Sequence, residues 1–192
     1  TPGGTGPACP GRSPADLSEY VTDFYRKKGV TLITGEEPVG FESKESRVTV
    51  RTASGKSYET GWVLAGIGLE LESQLAKSAG LQTGNGIIVD EFLQTSKANI
   101  YAAGDLAYFP SRALGESQRI EHRDNSEAQG KYAGSNMAGA KIPFDYIPFF
   151  YSDLFELGFE AVGELDSRME THAVWDEPLH KGIIAYLEKG RI

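Results

Sequence analysis

The sequence predicts an α/β fold followed by an antiparallel sheet, and three observations lead to this prediction. Short apolar, strand-like segments alternate with helical patterns over residues 13–145. Two of those apolar segments run into glycine, one at Gly66 and the other at Gly104. From about residue 158 the pattern changes to alternating apolar and polar residues, which is typical of antiparallel strands.

Composition limits the classes of partner. The 192 residues include 19 basic and 27 acidic side chains, a net charge of −8, which argues against a nucleic-acid partner because such binding depends on Lys and Arg at phosphates. The single cysteine, Cys9, excludes an internal disulfide or CxxC pair and indicates a cytoplasmic setting. No apolar run approaches the roughly 18 residues of a membrane span, and no signal segment opens the sequence. We therefore expect neither a nucleic acid nor a membrane as a partner.

The first elements are a linker and a helix. Residues 1–12 are rich in Gly and Pro and predict a linker or disorder; no strand precedes their glycines, so a phosphate-binding loop is not expected there. A helix is expected to begin with Ser13 as cap and Asp16 in a capping box, and to end at Gly29. One apolar face of this helix predicts core packing: Leu17, Tyr20, Val21, Phe24 and Tyr25.

Strands and a second helix follow. We expect a strand at 30–34, two strands joined by a turn over 47–60, and a strand at 62–65. The last of these leads into Gly66 and Gly68, where backbone becomes accessible.

The next elements bring a lone carboxylate to the end of an apolar segment. A helix over 71–81 is expected to pack through Leu71, Leu75 and Ala79. A turn at Asn85-Gly86 leads into a strand at 87–89, and a second strand at 100–103 ends at Gly104-Asp105. Because α/β sheets bind ligands at the carboxyl ends of their strands, Asp105 is a candidate ligand contact. A helix-cap or turn role for this carboxylate is the alternative.

The carboxyl-side third predicts a helix and then a sheet. A helix over 125–137 contains Gly130 and Gly134, which we interpret as positions of close packing. His172 and His180 are expected in strands with structural roles, and since no metal-ligand spacing links them, no metal site is predicted.

Four stretches carry a family resemblance. The residues GIG, AGL, NGIIVDEFLQTS and NIYAAGD, in this order, resemble the second half of a flavoprotein pyridine nucleotide oxidoreductase. Further on, RIEHRDNSEAQGKYAGSNMAG and IPFFYSDLF resemble its ferredoxin reductase and apoptosis-inducing-factor-like branch. The His-Glu pattern of the glutathione reductase branch is not found. The resemblance thus implies an NAD(P)H oxidoreductase with FAD and NAD or NADP, delivering single electrons to a ferredoxin- or rubredoxin-type carrier; a redox-sensing interaction protein is the alternative.

The resemblance also implies cofactor-binding residues. Asp105 matches the Asp that hydrogen-bonds the ribityl chain of FAD, with Gly104 permitting close approach. Glu121 matches the Glu that receives the nicotinamide amide, and His122 is a candidate support of the flavin site, a charged loop leading into a helix being the alternative. Tyr151 stands where relatives commonly have Trp beside the flavin.

Three more candidates complete the expected cofactor-binding set. They are Phe150, next to Tyr151, and the glycine pair Gly66 and Gly68, where the nicotinamide-binding domain ends. No residue is assigned a catalytic role, because the redox chemistry belongs to the cofactor. No oligomeric state is assigned.

The implied organisation is that of partial three-layer, Rossmann-like FAD/NAD(P)-binding domains followed by an α+β domain with an antiparallel sheet. Residues 13–80 are expected to close the NAD(P) domain, 81–145 the FAD domain, and 146–192 to begin the carboxyl-terminal domain. Neither GxGxxG fingerprint of the family occurs in the sequence. We therefore expect a carboxyl-side part of a larger reductase, inactive by itself.

Overall fold

The structure is a computed structural model that describes residues 13–190 and residue 192. The expected linker over 1–12 lies outside the described residues. The helices are α1 (Ala15–Lys27), α2 (Gln74–Ser78) and α3 (Arg123–Met137). The strands are β1 (Pro38–Lys44), β2 (Arg47–Thr52), β3 (Ser57–Thr60), β4 (Thr83–Gly84), β5 (Gly86–Ile88), β6 (Ala107–Ser111), β7 (Glu116–Gln118), β8 (Phe149–Leu154), β9 (Leu157–Val162), β10 (Glu170–Glu177) and β11 (Lys181–Leu187). This mixed α/β content with antiparallel sheets agrees with the expected fold class.

The chain divides into two compact units. One comprises residues 1–68 and 165–192, and the other comprises residues 69–164. No helix among the described residues combines the length and apolar character that a membrane span requires. The domain bounds expected from the sequence stay a prediction.

The unit of residues 1–68 and 165–192 contains α1, an antiparallel β1-β2-β3 sheet and the β10–β11 hairpin. The expected apolar face of α1 is confirmed, with Val21 buried. Gly29 ends the helix as expected, at a φ of 84° that favours glycine. The capping box is wrong: the cap position is Pro14, which makes no side-chain cap, and Oδ1 of Asp16 accepts from the N–H of Leu17 at 2.8 Å.

Two predicted strands in this unit are absent. Residues 30–34 and 62–65 pair with no strand among the described residues, and in the second segment Trp62 is 75% exposed and Leu64 is 85% exposed. A strand needs a neighbour to take its backbone hydrogen bonds, which an apolar pattern alone does not supply. The two strands over 47–60 are confirmed as β2 and β3, and β1 is an additional partner.

The expected location of one histidine is also wrong. His172 lies in β10 as expected, but His180 lies in the connection between β10 and β11, where its Nδ1 is 3.3 Å from the hydroxyl of Tyr20.

The unit of residues 69–164 is built on a four-stranded sheet in the order β4-β5-β6-β7. Only β5 and β6 are parallel; the outer pairs are antiparallel. The turn at Asn85-Gly86 is confirmed between β4 and β5. The helix expected over 71–81 is reduced to α2, whose Leu75 is 82% exposed while Ala76 is buried, so the expected packing through Leu75 is wrong.

The core of this unit joins the sheet to α3. Its buried members are Val89, Leu93, Ala107, Phe109, Ile120, Ala133 and Phe144. The buried face of α3 is largely polar, with Asn125, Gln129 and Asn136 beside Ala133. Asn136 is fully engaged, since its amide nitrogen donates to the carbonyls of Phe92 and Ile142, both at 2.9 Å.

The α3 helix is confirmed, and its two glycines do not pack closely against other described residues. A Cβ built at Gly130 or Gly134 meets no atom of the described residues within 4 Å, and both glycines are exposed. The β8–β9 hairpin that follows confirms antiparallel pairing in the carboxyl-side third.

Candidate functional site

The Gly104-Asp105 pair lies in a 3-10 turn, not at the end of a strand. Residues 100–103 form no strand; Tyr101 makes one isolated bridge with Gln94, and the 3-10 turn spans Gly104–Leu106 before β6 begins. Gly104 has a φ of 77°, in the left-handed region that glycine adopts without strain. The expected strand at 100–103 is therefore wrong, although the segment still leads into the expected glycine and carboxylate.

The carboxylate of Asp105 faces α3. Its Oδ1 accepts a hydrogen bond from the hydroxyl of Ser126 at 3.0 Å. It does not cap its own turn, since among the described residues the donor to this carboxylate is the Ser126 hydroxyl and not a backbone N–H of the 3-10 segment. Among the described residues, no donor bonds the second oxygen, Oδ2. One carboxylate oxygen is thus held by the protein, and the other remains an acceptor.

The backbone around this carboxylate is held by buried polar groups. The side-chain oxygen of Gln129, a fully buried residue, accepts from the N–H of Gly104 at 2.7 Å. The Nη1 of Arg119 donates to the backbone carbonyl of Asp105 at 2.9 Å. The turn is therefore fixed from both sides, because its amide and its carbonyl each have a charged or buried polar partner.

Arg119 links Glu121 to this turn, because its guanidinium contacts both. The Nη2 of Arg119 is 2.6 Å from Oε1 of Glu121, and the Nε of the same guanidinium is 3.4 Å from Oδ1 of Asn85. The Arg119 side chain is only 14% exposed, while that of Glu121 is 41% exposed. The carboxylate of Glu121 is thus partly exposed to solvent and is oriented by its ion pair with Arg119.

His122 is the N-cap of α3. Its Nδ1 accepts from the N–H of Asp124 at 3.3 Å, so the neutral ring carries its proton on Nε2. The ring stands edge-on to Phe150 and to Tyr151, with centroids 5.4 Å apart in both pairs. His122, Phe150 and Tyr151, each a member of the expected cofactor-binding set, thus form an aromatic cluster between α3 and β8.

Asp124 makes a second hydrogen bond, through its side-chain carboxylate. The hydroxyl of Tyr146 donates to Oδ2 of Asp124, and this bond, together with partial burial, raises the pKa of Tyr146 to about 12. The first turn of α3 is therefore fixed by a cap at its backbone and by a phenol at its side chain.

Two buried polar atoms next to this site have no hydrogen-bond partner among the described residues. They are Nε2 of Gln129 and Oδ1 of Asn125, on residues that are 0% and 1% exposed. Buried amides usually satisfy each polar atom, so a donor and an acceptor one helical turn apart on α3 mark a place for a polar group from outside the described residues.

The structure brings six of the eight predicted cofactor-binding residues into one unit. Gly104, Asp105, Glu121, His122, Phe150 and Tyr151 all belong to residues 69–164. Gly66 and Gly68 belong to the other unit, where both are exposed and Gly68 has a φ of 89°.

Three residues of the site were not predicted: Arg119, Ser126 and Gln129. For Ser126 and Gln129 a signal exists in hindsight, because polar residues at 125, 126, 129 and 136 interrupt the expected core face of a helix. Arg119 offers no comparable signal, since a charged residue after a short strand more often faces solvent.

Comparison with known proteins matches the two parts of the chain to two family models. Residues 7–130 match the family described as "Pyridine nucleotide-disulphide oxidoreductase", and residues 133–191 match "Apoptosis-inducing factor, mitochondrion-associated, C-term". The chain belongs to the pyridine nucleotide-disulphide oxidoreductase family. This confirms the resemblance found in the sequence.

Individual proteins similar to this chain indicate to which branch of the family it is related. The chain is 38% identical over 173 residues to apoptosis-inducing factor 1, mitochondrial, from Dictyostelium discoideum, covering 86% of this chain and 32% of that protein. It is 36% identical over 157 residues to monodehydroascorbate reductase 3 from Arabidopsis thaliana, covering 78% and 36% respectively. The crystal structure of the covalent putidaredoxin reductase-putidaredoxin complex matches with a TM-score of 0.77 and 32% identity, over 90% of this chain and 42% of that one. The chain thus spans about a third of the length of these two curated relatives.

Proposed function

We propose that the whole protein is a FAD-dependent NAD(P)H oxidoreductase that passes electrons from NAD(P)H through FAD to a carrier protein of the ferredoxin or rubredoxin type. The observation that carries this proposal is the carboxylate of Asp105, with Oδ1 held by Ser126 and Oδ2 left as an acceptor. Family membership supports it. The single cysteine supports a cytoplasmic location.

The residues present fit a flavin. A ribityl chain offers hydroxyl donors, for which Oδ2 of Asp105 is a suitable acceptor. The absence of a Cβ at Gly104 allows α3 to approach this turn closely, since a Cβ there would lie 3.4 Å from Oγ of Ser126. The unpartnered Nε2 of Gln129 and Oδ1 of Asn125 add a donor and an acceptor on the same helix. When bound, FAD would supply the hydride acceptor and the single-electron donor.

The remaining candidates divide between the two cofactors. The edge-on cluster of His122, Phe150 and Tyr151 would flank the planar flavin ring, because aromatic edges carry partial positive charge that complements a π-face. Glu121 would accept from the amide of the nicotinamide, with its carboxylate oriented by Arg119.

The proposed domain organisation follows the sequence prediction. Residues 13–80 would complete a three-layer NAD(P)-binding domain, with Gly66 and Gly68 at its exit, and residues 81–145 would complete the FAD-binding domain. Residues 146–192 would begin the α+β domain. The parallel β5–β6 pair supports the second of these assignments.

A carrier protein is the proposed electron acceptor. This rests on the similarity to a putidaredoxin reductase whose solved structure is a complex with putidaredoxin. It is a proposal for the whole protein.

The test is Asp105→Ala in the whole protein. Loss of a hydrogen bond to a charged group should weaken FAD binding roughly tenfold to a hundredfold, measured by titration of apoprotein with FAD. NADH and NADPH are then compared as donors, with a ferredoxin, a rubredoxin and a disulfide substrate as acceptors. Full flavin affinity in Asp105→Ala would overturn the site assignment, and turnover with the disulfide alone would overturn the acceptor.

A second candidate function is a redox-sensing interaction protein. It is favoured by the match of residues 133–191 to the apoptosis-inducing-factor carboxyl-terminal region. Slow turnover with every carrier, together with a stable complex after reduction by NADH, would favour this function; rapid turnover with an iron–sulfur carrier would favour the enzyme.

A further inference from the structure

The hydroxyl of Ser126 lies between two acceptors. Its Oγ is 3.0 Å from Oδ1 of Asp105 and 3.1 Å from the backbone carbonyl of His122, one helical turn earlier. A serine hydroxyl carries one hydrogen and can donate fully to only one acceptor at a time. The bond to the carboxylate is the stronger one, because an ionised acceptor roughly doubles the strength of a hydrogen bond.

The alternative bond is the ordinary one for a helical serine. A hydroxyl in a helix commonly bonds the carbonyl four residues earlier, which here is that of His122. That carbonyl already accepts the backbone N–H of Ser126 at 3.0 Å, so it does not depend on the hydroxyl. Donation to Asp105 therefore leaves no helical carbonyl without a partner.

The neighbouring bonds keep the carboxylate within reach of this hydroxyl. Gln129 lies one turn after Ser126 and holds the N–H of Gly104, while Arg119 holds the carbonyl of Asp105. The main chain on both sides of the carboxylate is thus fixed, and the rotation of its own side chain is the remaining freedom. Ser126 restricts that rotation.

The geometry points to Ser126 as a positioning residue: it holds Oδ1 of Asp105 so that Oδ2 is aimed at a hydroxyl of the flavin's ribityl chain. This inference rests on the proposed function, since it takes Asp105 as the flavin contact. Ser126 does not need to touch the cofactor; it acts through the carboxylate.

The experiment is a double-mutant cycle in the whole protein. FAD binding to apoprotein is measured for wild type, Ser126→Ala, Asp105→Ala and the double variant. Ser126→Ala alone is expected to weaken binding roughly threefold to tenfold. In the Asp105→Ala background the same change is expected to alter binding by less than about twofold, because the group through which it acts is gone.

Matched variants separate positioning from folding. Ser135→Ala removes an exposed serine from the same helix and is expected to bind FAD like the wild type. Ser126→Thr keeps the hydroxyl and should do the same. If Ser126→Ala lowers the melting temperature of the apoprotein, Ser126→Cys replaces it in the cycle. The cysteine side chain has nearly the same volume as serine but is a weak hydrogen-bond donor. It should therefore weaken FAD binding as alanine does.

The outcomes distinguish this inference from the proposed function. Equal weakening by Ser126→Ala in both backgrounds, or wild-type binding by Ser126→Ala or Ser126→Cys, overturns the positioning role while the function stands. Wild-type binding by Asp105→Ala overturns the assignment of Asp105 as a flavin contact, and the inference falls with it.

Discussion

Arg119 and Glu121 form an ion pair with 2.6 Å between Nη2 and Oε1, and the same guanidinium supports the carbonyl of Asp105. One side chain therefore holds both carboxylate residues that the sequence assigns to different cofactors, Asp105 for the flavin and Glu121 for the nicotinamide. A planar guanidinium can donate in several fixed directions at once, which a lysine ammonium on a flexible stem cannot match.

Arg119→Met is expected to lower the free energy of unfolding by about 1–3 kcal/mol, because the carbonyl of Asp105 loses its donor from a side chain that is only 14% exposed. The matched control is Arg123→Met, four residues on. Arg123 also pairs with a glutamate, Glu127, but its side chain is 78% exposed, and exposed ion pairs contribute little. Chemical denaturation of both variants gives the comparison; equal losses would contradict the role assigned to Arg119.

Gly86→Ala and Gly130→Ala should have opposite effects on stability. A Cβ at Gly86 would lie 2.6 Å from the carbonyl oxygen of Leu106, and the residue has a φ of 120°, so alanine should destabilise by about 1–3 kcal/mol. At Gly130, in the middle of α3, a Cβ meets nothing within 4 Å. Alanine there should stabilise by about 0.5–1 kcal/mol through helix propensity.

Thermal unfolding of both glycine variants measures the two effects. If Gly130→Ala instead destabilises the holoprotein but not the apoprotein, the glycine is needed for the approach of a bound group. Loss of stability in both forms would contradict the open space seen at this position.

Tyr146 should give an alkaline pH dependence. Its folded pKa of about 12 lies above the ordinary value of 10.0, so the contribution of its bond to Asp124 is complete below pH 10 and is lost as the pH rises through about 12. The native protein should therefore contain a tyrosine whose phenolate absorbance develops near pH 12. Asp124→Asn should move this titration towards 10, and Tyr146→Phe should remove it. Persistence of the late titration in Tyr146→Phe would contradict the assignment.

The contribution of Glu36 to stability should decrease at acid pH, whereas that of Tyr146 decreases at alkaline pH. Hydrogen bonds from Lys56, at 2.6 Å, and from Ser54, at 2.5 Å, lower its pKa from 4.5 to about 2. Its contribution is therefore present above pH 4.5 and is lost as the pH falls through about 2. The difference in melting temperature between the wild type and Glu36→Gln should be largest near neutral pH and vanish near pH 2. Glu37→Gln, at the exposed neighbouring position, is the control and should leave the melting temperature at neutral pH close to that of the wild type.

The sequence predicted the elements whose pairing or packing is local. The α1 face from Leu17 to Tyr25, the hairpin of β2 and β3, the turn at Asn85 and the α3 helix are all confirmed, because each follows from periodicity or turn chemistry within a few residues. The segments 30–34, 62–65 and 100–103 failed for one common reason. Their apolar residues resemble strands, but strand formation depends on a neighbouring strand, which the local pattern does not reveal.

The candidate site was predictable in part. Asp105 and His122 were singled out, and the structure places both of them next to the first turn of α3. Their supports were missed, because Arg119, Ser126 and Gln129 bond the Gly104-Asp105 turn across separations of 14, 21 and 25 residues along the chain. Contacts of this kind depend on tertiary structure: the polar residues along α3 make Ser126 and Gln129 unusual in the sequence, but their bonding partners cannot be read from it.

The hydrogen bonds that hold the turn at residue 105 are made by its backbone and leave the side chain at this position free to change. Arg119 bonds the carbonyl of Asp105 and not its carboxylate, and Gln129 bonds the amide of the preceding glycine. Neither anchor depends on which side chain residue 105 carries. Evolution or design can therefore exchange the chemical group offered at this point, for example an amide for a carboxylate, while the point in space at which it is offered stays the same. The backbone of this turn is therefore a fixed scaffold, and the side chain at residue 105 can be changed without moving it.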